Sequence, residues 1–371
     1  MTDLLQGARS SVPRVVDGVR REVERNLLRT RNGLRHVAGI DRARVGLTPK
    51  ETVWTADRCE LWRYRNPAVR HRPPIVLVTS LVSRSYVLDL RPQNSFVERL
   101  LEAGFDVFLV DFGVPDAVDS FNTLETYIDS YLAPAIERAR REAGTEDVTV
   151  YGYCLGGLLS LLTVAAHPEL PVRSLVCMAT PVDAEGMGGV VEALRSGRVE
   201  VDSLVDDTGN IPASVISNAF RIRKPTADVV QYANLWENLW NDDFVEGYQA
   251  MAQWAHDHIP FPGATARQLV DQFVRGNAVR RNAMRLGGRR IDLGAIRCPV
   301  CSVVAEHDDI IPAAASAPLP DLLRNARSDV ISIPAGHIGL VVGRQATRTT
   351  MPAIIGWLRE HGESVATEAE Q

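Results

Sequence analysis

Residues 147–160 read Asp-Val-Thr-Val-Tyr-Gly-Tyr-Cys-Leu-Gly-Gly-Leu-Leu-Ser, and no other segment limits the fold of this chain as much. A short apolar run passes through Gly152, Tyr153, Cys154, Leu155, Gly156 and Gly157 straight into an apolar, small-residue stretch that reaches Ala166. This reads as a strand, a tight turn and a helix with a nucleophile at the turn: a nucleophile elbow carrying Cys in place of Ser. The glycines follow from the geometry. Gly152 and Gly156 keep side chains away from neighbouring chain, and Gly157 lets the helix begin close to the strand. The helix N-terminus then turns free amides and the positive end of its dipole toward the sulfur, which favours negative charge there. A cysteine packed in a core is the plain alternative. The position of the motif between a buried strand and a helix argues for the elbow.

The surrounding pattern suits such an elbow. From Thr52 the period changes, and Val53 to Tyr64 alternates like a strand pair. Short, nearly continuous apolar runs follow at 75–78, 107–110, 148–151, 175–178, 300–304 and 330–333, as expected of strands buried on both faces. Helical stretches at 95–103, 124–141, 155–166 and 346–360 separate most of them, which predicts an α/β fold with a mostly parallel sheet. The alternation breaks at about 182–288. That stretch is rich in aromatics (Phe220, Tyr232, Trp236, Trp240, Phe244, Tyr248, Trp254, Phe261 and Phe273) and reads as a mainly helical lid inserted between two core strands. Residues 1–45 read as an N-terminal amphipathic helical segment. Val12, Val15, Val19, Val23, Leu27 and Leu34 lie on one face and an Arg-rich face lies opposite, suited to docking on the body or to binding a partner. The catalytic domain is expected over 46–361, and the acidic tail, 362–371, is expected to fray.

An elbow of this kind predicts its partners in the order nucleophile, acid, histidine. The acid belongs on a loop after a late strand, where Asp308 and Asp309 stand. The histidine belongs after the last strand, where His337 lies between Gly336 and Gly339. His337 is then the general base, and the carboxylate orients it and stabilises its charged form. Two backbone amides must meet the tetrahedral intermediate. One is that of Leu155, just after the nucleophile. The other belongs to the loop 81–83, with Val82 as the expected donor.

Other features are weaker. His256 and His258 are two apart and share no helix face, and His307 has no matching ligand set, so no metal is expected. Cys298 and Cys301 form a CxxC that straddles a strand start with no second pair, which suits strand filling better than redox or zinc chemistry. Five scattered cysteines make no disulfide framework, and a net charge of -5 disfavours nucleic acid as a partner. The opening MTDLLQGARSSVPRVV has no secretory pattern, and no apolar run approaches the roughly 18 residues of a membrane span, so the cytoplasm is the expected compartment.

GYCLGG at 152–157, LVSRSYVLDLRPQNS at 81–95, GFDVFLVDFGVPD at 104–116, DDIIP at 308–312 and GHIGLVVG at 336–343 together resemble a poly(3-hydroxyalkanoate) synthase. The similarity runs from about Gly46 to Leu358. YVLDLRPQNS is its most specific part, because generic α/β-hydrolases lack it. The resemblance implies an α/β-hydrolase fold, with Cys154 as the acyl-carrying nucleophile and His337 as its base. The family pattern of Asp, any residue, two apolar residues and Pro selects Asp308 as the third member, where it also helps activate the substrate hydroxyl. Ser83 departs from the family, many members having Asn there. The implied reaction polymerises short-chain (R)-3-hydroxyacyl-CoA through a Cys thioester onto a growing polyester chain. Coenzyme A enters as a substrate thioester, and no cofactor is implied. Single-chain members carry a much longer N-terminal region, so the short chain implies a second, smaller synthase subunit. A homodimer and a place at the surface of polyester granules are implied as well.

Two other readings compete. A cysteine hydrolase of the dienelactone hydrolase type, or a polyester depolymerase or thioesterase, shares GYCLGG-like elbows, but the inserted segment and YVLDLRPQNS count against it. A hydrolase-like binding scaffold would be favoured by loss of a triad residue, and all three are present.

Overall fold

The computed structural model describes residues 22, 25–32, 43–66, 68–223 and 235–365. It divides into two units, residues 1–44 with 224–255 and residues 45–223 with 256–371.

The larger unit is built on an eight-stranded sheet. Its strands are β1 (Glu51–Ala56), β2 (Cys59–Tyr64), β3 (Ile75–Val78), β4 (Val107–Asp111), β5 (Val148–Tyr153), β6 (Val172–Met178), β7 (Val300–Ala305) and β8 (Ser328–Ile333). They lie in the order β1-β2-β4-β3-β5-β6-β7-β8. β1, β2 and β4 pair antiparallel, and every pairing from β4 through β3 to β8 is parallel. The mostly parallel sheet read from the apolar runs is therefore present. Central β3 and β5 are buried at every residue, as a strand covered on both faces must be. β8 differs: its residue Val330 is 57% exposed. It is the outermost strand, where a continuous apolar run no longer has to mean burial on both faces.

Helices α1 (Phe96–Glu102), α2 (Ala133–Ala143) and α3 (Leu155–Ala166) link these strands. Ser95 caps α1 by accepting the Glu98 amide at 3.0 Å. Gly144, in the left-handed conformation at φ 64°, ends α2. α3 is apolar almost all round because it is buried almost all round. Its N-terminus meets β5 at the elbow, where a Cβ on Gly156 would strike the carbonyl oxygens of Val78 and Thr79, and one on Gly152 would strike the Gly157 backbone. Backbone cannot yield as a flexible side chain can. Gly156→Ala is therefore expected to cost about 3 kcal/mol of stability, read as a lower urea midpoint; an unchanged midpoint would mean that strand and helix separate freely.

Between β6 and β7 the chain leaves the sheet. In the larger unit this excursion holds α4 (Val190–Arg195), α5 (Ala213–Arg223), helical residues 263–275 and a two-residue strand pairing, Asn210–Ile211 with Phe261–Pro262. At the other end of the chain the expected fraying stops short. Glu363–Ser364 pairs with His71–Arg72, and Glu363 meets Arg173 at 2.8 Å, so main-chain bonds and an ion pair hold the start of the tail. Residues 366–371 lie outside the described residues.

The smaller unit joins residues 25–32 to α6 (Asp242–His256) and the turn before it. Asn32 is buried and donates to the Leu239 carbonyl at 2.6 Å and to Asp242 at 2.8 Å, and Arg31 meets Asp242 at 2.6 Å. Leu27, which the sequence pattern places on the apolar face, is 67% exposed. The docked side of this helix is thus polar, fixed by hydrogen bonds. Val12, Val15, Val19, Val23 and Leu34 lie outside the described residues.

Candidate active site

The carboxyl ends of β3, β5, β7 and β8 converge, as ligand sites in open parallel sheets do. Cys154 follows β5 with φ 57° and ψ −126°, a conformation that costs a non-glycine residue energy and presents its side chain at the head of α3. Its amide donates to the Met178 carbonyl at 2.9 Å, which ties the strained residue to β6. Leu155 is the first residue of α3, so its amide is among those with no partner inside the helix. A Cβ on Gly157 would meet the Thr180 side chain, so this glycine makes room for the loop after β6 as well as for the strand.

Asp308 and His337 come from the loops after β7 and β8. His337 Nδ1 and Asp308 Oδ2 are 2.7 Å apart. The other carboxylate oxygen, Oδ1, accepts the amides of Ile310 at 2.8 Å and Ile311 at 2.7 Å. Asp309 points outward and is exposed, so the turn geometry takes the first of the two aspartates into the site. Glycine is not required beside His337, because a Cβ on Gly339 would meet Ala335 at an ordinary 3.5 Å.

Cys154 lies close enough to His337 to act on its charge. Burial opposes an imidazolium here, but the negative charge of Cys154 and the Asp308 hydrogen bond outweigh it and push His337 up to about 10. A proton held more tightly in the folded than in the unfolded chain stabilises the fold. That contribution is fully present below the ordinary histidine value of about 6.5 and is lost as pH rises through the raised one. Replacing Cys154 by alanine removes the largest raising influence. The His337 ring signal followed by NMR is then expected to titrate at lower pH than in the native chain; an unmoved midpoint would mean that the two side chains are not paired.

Tyr153 escaped the sequence reading. It is buried, its ring stacks on His337 with centroids 5.0 Å apart, and its hydroxyl donates to the His337 carbonyl at 3.2 Å. Its place beside Cys154 was the available signal. The hydroxyl also explains why a strand end this deep carries Tyr, since a buried O–H needs an acceptor.

Val82 lies in the loop after β3. Its amide meets Ser80 Oγ at 3.4 Å, and its carbonyl accepts from Ile259 at 3.3 Å. Ser83 forms an isolated antiparallel bridge with His258, and Tyr86 donates to Asp257 at 3.0 Å. Residues 257–259 of the excursion are thereby clamped onto the loop that carries Val82. His258 has a structural setting, stacked on Phe220 and 3.2 Å from Ser217 Oγ. Among the described residues no three His, Cys, Asp or Glu side chains cluster as metal ligands. Cys301 is buried within β7, and Cys298 precedes it.

The YVLDLRPQNS stretch, the most distinctive in sequence, works around the site rather than in it. Buried Asp89 accepts from Thr48 Oγ1 at 2.6 Å and Ser95 Oγ at 2.8 Å, and Asn94 accepts from the Gly343 amide at 3.0 Å. It clips the 43–50 segment and the end of the His337 loop to the core.

Cys154, Leu155 and Val82 border one cavity of about 300 Å3. Its wall includes Leu158, Met187, Val191, Phe220, Phe261 and Phe273. Of the aromatics read as a lid, Phe220, Phe261 and Phe273 reach this cavity. Trp236, Trp240, Phe244, Tyr248 and Trp254 belong to the smaller unit, and Tyr232 lies outside the described residues.

Comparison with known proteins adds to this geometry. Residues 73–343 match the alpha/beta hydrolase fold family. The chain is 33% identical over 332 residues to the poly(3-hydroxyalkanoate) polymerase subunit PhaC of Haloferax mediterranei, covering 89% of this chain and 67% of that protein. It is 34% identical over 332 residues to the subunit of the same name from Allochromatium vinosum, covering 88% and 93%. With that of Synechocystis it shares 33% over 339 residues, covering 89% of each. Among solved structures, a candidate lipase from Sulfolobus solfataricus superposes with a TM-score of 0.56 at 14% identity, covering 84% of this chain and 93% of that one. That likeness speaks for the fold alone.

Proposed function

The chain belongs to the poly(3-hydroxyalkanoate) polymerase family of α/β-hydrolase-fold proteins, and from that membership we propose how its own residues carry out the transfer. The enzyme is an acyltransferase that polymerises (R)-3-hydroxyacyl-CoA into polyester and releases coenzyme A. The Cys154 thiolate attacks the thioester carbonyl, and the tetrahedral oxyanion forms against the amides of Leu155 and Val82. The carbon–sulfur bond to coenzyme A breaks, and the imidazolium of His337 gives its proton to the departing thiolate. The acyl group now rests on Cys154 as a second thioester, still activated.

Neutral His337, oriented by Asp308, takes the proton of an incoming 3-hydroxyl as that oxygen attacks the Cys154 thioester. An ester bond forms, the bond to Cys154 breaks, and the thiolate–imidazolium pair is restored. Apolar walls around Cys154 disfavour water as the competing acceptor, which turns the outcome toward polyester rather than hydrolysis.

One observation carries this reading: a cysteine on a nucleophile elbow is paired with a buried His337–Asp308 couple at the edge of an apolar cavity. The substrate is a coenzyme A thioester, and no separate cofactor takes part. The relatives are named as subunits, which supports a second synthase subunit. No helix among the described residues is long and apolar enough to cross a membrane. The growing polyester, as the product of this reading, supports a place at the surface of polyester granules. Incubating the purified chain, alone and with a candidate partner subunit, with (R)-3-hydroxyacyl-CoA tests the reading. Coenzyme A release with insoluble polyester supports it. Release with free hydroxy acid as the only product replaces it with a thioesterase.

A further inference from the structure

Cys154 and His337 come from distant parts of the chain, and a transfer between them needs both held in place. Asp308 fixes one edge of the imidazole, from the loop after β7. Tyr153, the last residue of β5, lies against its face. The two ring centroids are 5.0 Å apart, with the planes 28° from parallel. The Tyr153 hydroxyl donates to the His337 carbonyl at 3.2 Å, and the same carbonyl accepts the Leu340 amide at 3.3 Å. Tyr153 thus holds His337 by side chain and main chain at once. The residue after it is Cys154, so the brace runs from the strand of the nucleophile directly to the base.

Packing alone does not account for a tyrosine here. Leucine or methionine would also fill the space. Burial pushes the Tyr153 hydroxyl well above its ordinary pKa, so it stays a donor across the working pH range. The ring adds an electrostatic effect. An aromatic face is negative and attracts a cation within about 6 Å of its centre, whereas a neutral imidazole gains less. His337 and Tyr153 are both buried, so water screens this attraction little. The other groups that act on the charge of His337 are Cys154 of the elbow and Asp308 of the β7 loop.

We infer, on the polymerase reading of Cys154 and His337, that Tyr153 is a positioning residue for the transfer. Its ring holds the imidazole in its orientation and favours the charged form. Its hydroxyl anchors the His337 loop to the strand that carries Cys154.

The test uses the full chain, with the partner subunit if one is needed. Tyr153→Phe keeps the ring and loses the hydroxyl. Tyr153→Leu and Tyr153→Met lose both, and the use of two fillings guards against one that fails to fold, as judged by circular dichroism. Each variant is followed by the NMR titration of the His337 ring, assigned by its loss in His337→Gln, and by kcat and KM for coenzyme A release from (R)-3-hydroxybutyryl-CoA. In the Leu and Met variants His337 is expected to titrate about one pH unit lower than in the native chain. Their kcat is expected to fall about a hundredfold with KM little changed. Phenylalanine is expected to restore the native titration and to leave a loss of about threefold in kcat, the effect of one hydrogen bond. A native titration in the Leu and Met variants overturns the role of the ring whatever their rates, since a void slows turnover without touching the charge. A Phe variant that titrates as the Leu variant does overturns it as well. No release from the native chain removes the polymerase reading, and with it the part of Tyr153 in the transfer, while the titration keeps the two failures apart.

Discussion

Replacing Cys154 by serine is expected to slow coenzyme A release by at least about a thousandfold while leaving the fold intact. The exchange is close to isosteric, and serine tolerates the elbow conformation at φ 57° no worse than cysteine does. What changes is the chemistry. A serine hydroxyl keeps its proton, so the influence of Cys154 that raises His337 is gone. His337 must then remove a proton during attack instead of beginning from a formed nucleophile. The second half of the cycle suffers too, because a serine oxyester is a poorer acyl donor than a cysteine thioester. Single-turnover release of coenzyme A, with mass spectrometry of the acylated protein, separates the two effects. Polymerisation at the native rate by the serine variant would exclude a covalent role for Cys154.

The second large effect is expected from Asp308→Asn. The two backbone amides of Ile310 and Ile311 both donate to Oδ1, so they would hold the amide oxygen of asparagine in that place. Its NH2 group would then face His337 Nδ1, where a carboxylate oxygen stood at 2.7 Å. A donor there makes Nδ1 an acceptor and leaves the proton on Nε2, the wrong tautomer for a base. A loss of about a thousandfold to ten-thousandfold in kcat is expected, with near-native stability. Asp309→Asn, on the exposed side of the same turn, is expected to lose far less, because it leaves the Asp308 carboxylate against His337 in place. Equal losses in the two variants would show that the turn, rather than the carboxylate, matters.

These two aspartates also mark how far the sequence could be read. Local spacing brought both to the end of β7, and only a family pattern separated them. In the structure the separation is physical: one side chain folds back onto two amides and His337, and its neighbour faces solvent. The elbow needed no such help, since its glycines answer to contacts between adjacent elements, β5, α3 and the end of β3, that any chain making this turn must satisfy. Tyr153 was harder to read. A tyrosine in a buried strand is ordinary, and its acceptor, the His337 carbonyl, lies in a loop far along the chain.

By itself the sequence determined the order of strands and helices, the tight turn that carries Cys154, the loop that carries His337, and the excursion between β6 and β7. Each rests on a local cause: burial on both faces of a strand, glycine where backbones touch, or the period of a helix. The tertiary structure alone decided which excursion residues face Cys154, how Val82 is held by residues 257–259, and how large and how dry the acyl space is. Those properties arise where segments distant in sequence converge. Helical spacing says that Val190, Val191 and Leu194 share a face, but only the packed chain says that the face looks onto Cys154.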